Sequence, residues 1–219
     1  MDKLRLRFEK TGRAVYISHL DLMRTLTRAF LRAECRLKYS EGFNPHPQIS
    51  IALPLSVGMS SVCELMDFKL VEEKKPADIL DALNEQLPEG IKALEVYEPE
   101  RKVKEIKWLS IEGKFEYDER RAEAMLPELR AFFMQNSIVI SKKTKRGIAD
   151  SDIKPAIKEL EFDICGKDIH IKGMISAQEP TLNPELLVDA LRQKREALAP
   201  DFAKFKRIET FDENMSIFR

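Results

Sequence analysis

Residues 18–58 read SHLDLMRTLTRAFLRAECRLKYSEGFNPHPQISIALPLSVG, and the fold follows from how this stretch divides. A helix comes first, then a loop crowded with Gly, Asn, Pro, His and aromatic residues, then a strand. Ser18 is a good N-cap, and Asp21 takes the capping-box place three residues later. Leu22, Met23, Leu26, Ala29, Phe30 and Ala33 recur at helical spacing and form the buried stripe. The loop runs from Tyr39 to Pro47. Ile49 to Leu55 reads as a strand, with Pro54 marking an edge or a bulge. Residues 62–70, VCELMDFKL, alternate and pair with it as a hairpin.

Working outward, residues 3–9 (LRLRFEK) alternate apolar and basic, as a half-buried strand does. Pro76 opens a second helix, PADILDALNEQL, which Pro88 and Gly90 stop. Ile91 to Tyr97 is a further strand. The order strand, helix, strand, strand, helix, strand is the split βαβ, ferredoxin-like arrangement. Residues 99–107 are polar and charged, and read as a linker. The pattern then recurs: a strand at 108–117, a helix at 119–134 interrupted by Pro127, a short strand at 137–141 and a basic loop at 142–147. A hairpin follows at 160–165 and 168–176, turning at Gly166-Lys167. Asn183 and Pro184 start the helix NPELLVDALRQKREAL, and residues 204–211 form the last strand. The expected fold class is α+β, with two tandem ferredoxin-like (βαββαβ) domains, 1–99 and 108–219. The second carries a longer middle insertion at 142–159.

Composition narrows the function. No apolar run is long enough to span a bilayer and no secretory pattern precedes the first strand, so a cytoplasmic protein with no membrane partner is expected. The net charge is zero, yet residues 1–48 hold ten Lys or Arg against five Asp or Glu, a local +5. A basic patch on a neutral chain fits selective rather than bulk anion binding, unless it is ordinary fluctuation in a chain that is 34% charged. Cys35, Cys63 and Cys165 stand far apart with no CxxC pair, which argues against a disulfide framework or a zinc ribbon and suggests core thiols in a reducing compartment. GxGxxG, P-loop, HExxH and GxSxG motifs are absent, which argues against dinucleotide, nucleoside-triphosphate and common hydrolase chemistries. No cofactor and no metal is expected; a site from His19, His46 and Glu41 or Asp21 lacks a ligand spacing.

The candidate site lies within the opening stretch. Arg24, Arg28, Arg32 and Arg36 recur every four residues, either as forked donors for phosphate or carboxylate groups or as a solvated helix face. His19, at the first helical position, is expected neutral beside the helix dipole, as a general base or as a plain surface histidine. His46 is held rigidly between Pro45 and Pro47. Tyr39 and Phe43 either stack on bases or anchor the loop in the core. Gly42 supplies a positive backbone angle. Ser18, Asp21 and Asn44 complete the binding set. The candidates for catalysis are His19 and His46.

The segments YISHLDLMRTLTRAFLRA, YSEGFNPHPQISIALPLSVGMSS and ELMDFKL closely resemble the bacterial radical SAM-linked protein family, a DUF2344-type domain of unknown function. Lys145 to Pro155 and the NPELLVDAL helix match it more loosely. The family's members occur alone or joined to radical SAM proteins, often near genes for a ribosomal RNA-processing ribonuclease and ribosomal proteins. The resemblance implies an auxiliary, substrate-handling role. It makes this chain the partner of a radical SAM protein rather than the radical enzyme, because the CxxxCxxC motif is missing. It carries over no catalytic residue. A second, more distant resemblance concerns fold alone: the CRISPR repeat-processing endoribonucleases of the RAMP superfamily pair two ferredoxin-like domains, so a RAMP-like arrangement is expected. Their C-terminal glycine-rich loop has no equivalent here.

Three functions follow as expectations. The first is a recognition module without catalysis of its own, binding RNA or a ribosome-related particle for a radical SAM enzyme. The second is a metal-independent endoribonuclease using His19 or His46 on a ribose 2′-hydroxyl. The third is a protein–protein adaptor without RNA binding.

Overall fold

A computed structural model describes residues 3–118, 122–144 and 147–219. It is an α+β protein whose chain divides into two compact units, one up to Val103 together with Arg219, the other from Lys104 to Phe218. The first unit contains β1 (Leu4–Lys10), α1 (His19–Arg32), β2 (Ile49–Ala52), β3 (Ser60–Phe68), α2 (Pro76–Asn84) and β4 (Ile91–Tyr97). Its strands lie in the order β4-β1-β3-β2, every pair antiparallel. The core is built where the helical and strand periodicities meet. Leu6 and Phe8 of β1, Leu26 and Phe30 of α1, Met66 and Phe68 of β3, and Ile79 and Leu83 of α2 are all fully buried. The Phe30 and Phe68 rings meet edge to face at 4.8 Å. Each such side chain contributes ~1.5–3 kcal/mol of burial.

The second unit repeats the element order with an insertion. It contains β5 (Trp108–Glu116), α3 (Ala122–Phe133), β6 (Val139–Thr144), β7 (Gly147–Asp152), β8 (Ile157–Cys165), β9 (Asp168–Ser176), α4 (Glu185–Lys194) and β10 (Phe202–Phe211). Its main strands lie in the order β10-β5-β9-β8, again antiparallel throughout. Omitting the β6–β7 ribbon, this is the strand order of the first unit.

Several expectations are corrected. Helix α1 stops at Arg32, so Arg36 is not part of its face. Glu34 takes a left-handed conformation (φ 53°), the Cys35 N–H donates to the Phe30 carbonyl at 2.9 Å, and the Glu34 N–H donates to Leu31 at 3.1 Å. These bonds form a Schellman motif, closed by the burial of both Phe30 and Cys35. Strand β2 ends at Ala52, before Pro54. Pro127 sits inside α3 without breaking it, because Met125, Leu129, Phe132 and Phe133 anchor the helix on both sides. The basic loop expected at 142–147 is instead the end of a hairpin, with Thr144 paired to Gly147 and Val139 to Asp152. Lys145 and Arg146 of that run lie outside the described residues. Helix α4 ends at Lys194 rather than near residue 198, and the chain continues as a short 3₁₀ turn at Glu196–Leu198. Cys165 is exposed, not a core thiol, because it lies at the outer end of β8.

Candidate nucleic-acid interface

The GFNPHP loop is a narrow hydrogen-bonded arch. Lys38 N–H donates to the Lys69 carbonyl at 2.8 Å, Gln48 N–H to Lys38 at 2.7 Å and Ser40 N–H to His46 at 2.9 Å. Tyr39 bridges Pro47, and the Gln48 amide side chain donates to the Tyr39 carbonyl at 3.2 Å. At its mouth, Ser40 Oγ accepts the His46 backbone N–H at 3.1 Å and lies 2.9 Å from His46 Nδ1. The Asn44 carbonyl is 3.4 Å from the same ring nitrogen. Both contacts engage Nδ1, and Nε2 of this exposed residue has no hydrogen-bond partner among the described residues. Gly42 turns the tip at φ 118° with open space where a Cβ would stand, so only its backbone angle requires glycine.

Phe43 at that tip is fully exposed and Tyr39 is about half exposed, at 48%. Neither ring anchors the loop in the core. Leaving a phenylalanine in water forgoes ~1.5–3 kcal/mol of burial. Ser40 and Gln48, outside the binding residues expected from the sequence, brace the arch. The only signal for them is polar residues flanking a turn-rich run.

The SHLD segment has a different construction. Ser18 Oγ accepts the Asp21 N–H at 3.2 Å as the N-cap of α1 and donates to Asp21 Oδ2 at 2.7 Å. Arg24 donates to Asp21 Oδ1 at 3.2 Å. The Ser18 hydroxyl chiefly, with Arg24 beside it, holds the Asp21 carboxyl below the usual carboxylate range. His19 is exposed in the first turn.

The arginine row is partly committed. Arg32 donates to the Gln86 carbonyl at 2.6 Å and to its side chain at 3.3 Å, tying α1 to the end of α2. Arg36 pairs with Glu72, past the helix end. Arg28 is exposed and, among the described residues, has no ion pair. Exposed pairs such as Arg24–Asp21 and Arg36–Glu72 contribute ~0–1 kcal/mol.

The topology separates the two motifs. β1 ends at Lys10, opposite Ser61, at the edge where α1 begins; it starts at Leu4, opposite Phe68, where the arch joins through the Leu37–Leu70 bridge. SHLD and GFNPHP thus occupy opposite ends of α1, a helix about 20 Å long at 1.5 Å per residue. His19 and His46 cannot share one proton transfer or one metal ion. Among the described residues, no group of three His, Cys, Asp or Glu is placed to hold a metal.

A family model described as an uncharacterized protein conserved in bacteria, DUF2344, matches residues 3–184. The chain belongs to the DUF2344 family. The match runs through the first unit from residue 3 to Val103, both motifs and the second unit up to the start of α4. Among curated proteins, none matches this DUF2344 chain. Among solved structures, a chain from the crystal structure of a Cbf5-Nop10-Gar1 complex is similar over 96% of the DUF2344 chain, with 10% identity and a TM-score of 0.50. The DUF2344 chain spans half of that chain's length (50%), and the likeness is one of fold alone. An unknown protein from Galdieria sulphuraria aligns over 94% of the DUF2344 chain and 98% of its own length, with 11% identity and a TM-score of 0.27. No helix among the described residues is long and apolar enough to cross a membrane.

Proposed function

We propose that this chain is an auxiliary recognition module that binds RNA, or a ribosome-related particle, in the cytoplasm and presents it to a separate radical SAM protein. The observation that carries this reading is the arch at 37–48, braced by backbone bonds and holding Phe43 fully exposed at its tip. A ring already clear of the core stacks on a splayed base without giving up any packing in the fold. Asn44 and Nε2 of His46, beside it, supply base-edge hydrogen bonds. Arg28, together with Arg24 and Arg36 released from their exposed pairs, supplies phosphate contacts. The radical SAM partner rests on the resemblance of the SHLD and GFNPHP segments. The repeated strand order supports reading the two units as tandem ferredoxin-like domains.

Anisotropy of a fluorescein-labelled random 12-mer of single-stranded RNA, titrated with the full chain at about 50 and 200 mM salt, tests the reading. Affinity should fall with salt, and Phe43→Ala should weaken it by roughly tenfold, the worth of one stacked base. Salt-independent binding, or binding indifferent to Phe43→Ala, Arg28→Ala and His46→Ala, would discard it. RNA cut in chelator-treated buffer, with cutting lost in His19→Ala or His46→Ala, would make the chain an endoribonuclease acting through one histidine. A radical SAM protein bound without RNA would make the arch a protein-docking surface.

A further inference from the structure

Strand β8 is the outer strand of the second unit's sheet and pairs with β9 alone among the described strands. Arg130 Nη2 donates to the Phe162 carbonyl, which therefore points away from β9. In an antiparallel ladder the N–H and C=O of one residue point the same way, and the direction alternates along the strand. Leu160, Phe162 and Ile164 thus turn their backbone groups outward, while Glu161 and Asp163 face Lys172 and His170 across the ladder.

Beside this edge runs a groove of about 630 Å³ between β8 and the last turn of α3. Phe133 and Phe162, stacked at 5.4 Å, form its floor. Met134 (77% exposed) and Ile164 (41%) extend the apolar surface to solvent. Glu159, Glu161 and Asp163, two residues apart on the strand, line the rim of this groove, as do Arg130, Lys154 and Lys158, which are engaged by the Phe162 carbonyl, the Phe133 carbonyl and the Trp108 ring. Glu159 and Glu161 have no ion pair among the described residues, and Asp163 has only a distant one to Arg130 at 3.7 Å.

We infer that β8 accepts a strand from a protein partner, an extended segment in which apolar and basic residues alternate. Its outward backbone groups would continue the sheet. The apolar side chains would enter the groove beneath α3. The basic ones would stand opposite the carboxylate row, at cross-strand Cβ distances of about 4.5–5.5 Å. The same row argues against a second copy of this chain. Two β8 edges paired antiparallel set carboxylate against carboxylate, and like charges directly opposite are destabilising. Arg130, which covers the Phe162 carbonyl, guards the edge in the free chain and moves aside on binding. This site is separate from the arch and independent of RNA binding.

The probe is a fluorescein-labelled nine-residue peptide of alternating Val and Lys, added to the full chain and followed by anisotropy and by amide hydrogen exchange. Saturable binding is expected, with slowed exchange at Leu160, Phe162 and Ile164 and little change at Glu161 and Asp163. The double variant Glu159→Lys, Glu161→Lys changes only exposed side chains and should weaken binding roughly tenfold. A Val–Glu peptide should not bind. Equal binding of both peptides, affinity unchanged in the double variant, or exchange unchanged at the three amides would overturn the inference. Concentration-dependent dimerisation that protects those amides without peptide would assign the edge to a second copy and overturn it as well.

Discussion

Ser40 Oγ accepts the His46 backbone N–H at 3.1 Å and stands 2.9 Å from Nδ1 of the same residue, so one hydroxyl sets both the backbone and the ring. Ser40→Ala removes both contacts in an exposed loop. Stability should change by less than about 0.5 kcal/mol, while RNA affinity should fall roughly threefold to tenfold as the ring loses its orientation. Ser40→Thr, which keeps the hydroxyl, should restore it. Thermal melts and anisotropy on the three proteins check this; a melting change without an affinity change would reduce Ser40 to loop structure.

Gly90 and Gly58 both have positive φ, at 87° and 92°, but only one is crowded. A Cβ on Gly90 would lie 2.5 Å from the Thr11 carbonyl oxygen and 3.0 Å from Ala14 Cβ, whereas none of the chain lies within 4 Å at Gly58. Gly90→Ala should cost roughly 3 kcal/mol, from left-handed strain plus a backbone clash. Gly58→Ala should cost about 1 kcal/mol, from strain alone. Urea midpoints of the two variants measure the difference.

Arg5 and Asp67 face each other on β1 and β3 in a buried ion pair, with Nε 2.6 Å from Oδ1 and Nη2 3.3 Å from Oδ2. Nη2 also donates to the Arg101 carbonyl at 3.1 Å, and Lys3 pairs with the same carboxylate. Asp67→Ala removes the buried carboxylate that Arg5 and Lys3 share and should destabilise by about 3–5 kcal/mol. Chemical denaturation reads this directly. A loss below about 1 kcal/mol would mean that water reaches Arg5.

Asp21 has its folded pKa below its unfolded value, through the Ser18 hydroxyl chiefly and Arg24. Its contribution to stability is therefore present above the unfolded pKa and is lost as pH falls through the lower folded one. Asp21→Asn should melt below the native protein at pH 7, and the two should converge as pH falls through the lowered folded pKa. Ser18→Ala, which removes the cap, should cost about 1 kcal/mol at neutral pH. A pH series of melts checks both, and a gap that widens in acid would contradict the assignment.

Much of the scaffold was legible because its signals are local. Ser18 and Asp21 announced the start of α1, and Gly166-Lys167 announced the β8–β9 turn. The end of α1 was not legible, because Glu34 takes the left-handed place where glycine is expected and the burial of Phe30 and Cys35 drives it there. The β6–β7 ribbon was hidden too. GIADSD shows no alternation, and the ribbon is secured from a distance by Gln193, which accepts from the Ser141 N–H at 2.8 Å and donates to its carbonyl at 2.9 Å.

The sequence by itself determined the order of strands and helices outside the β6–β7 ribbon, most of their buried faces and the presence of a turn-rich aromatic loop. Period and turn chemistry are properties of neighbouring residues and need no partner. Only the tertiary structure decided that SHLD and GFNPHP stand at opposite ends of α1, that Arg32 is committed to Gln86, and that Phe43 projects while Leu37 is buried. Each depends on a return of the chain across the sheet, where contacts between residues distant in sequence settle which side chains pair and which face water.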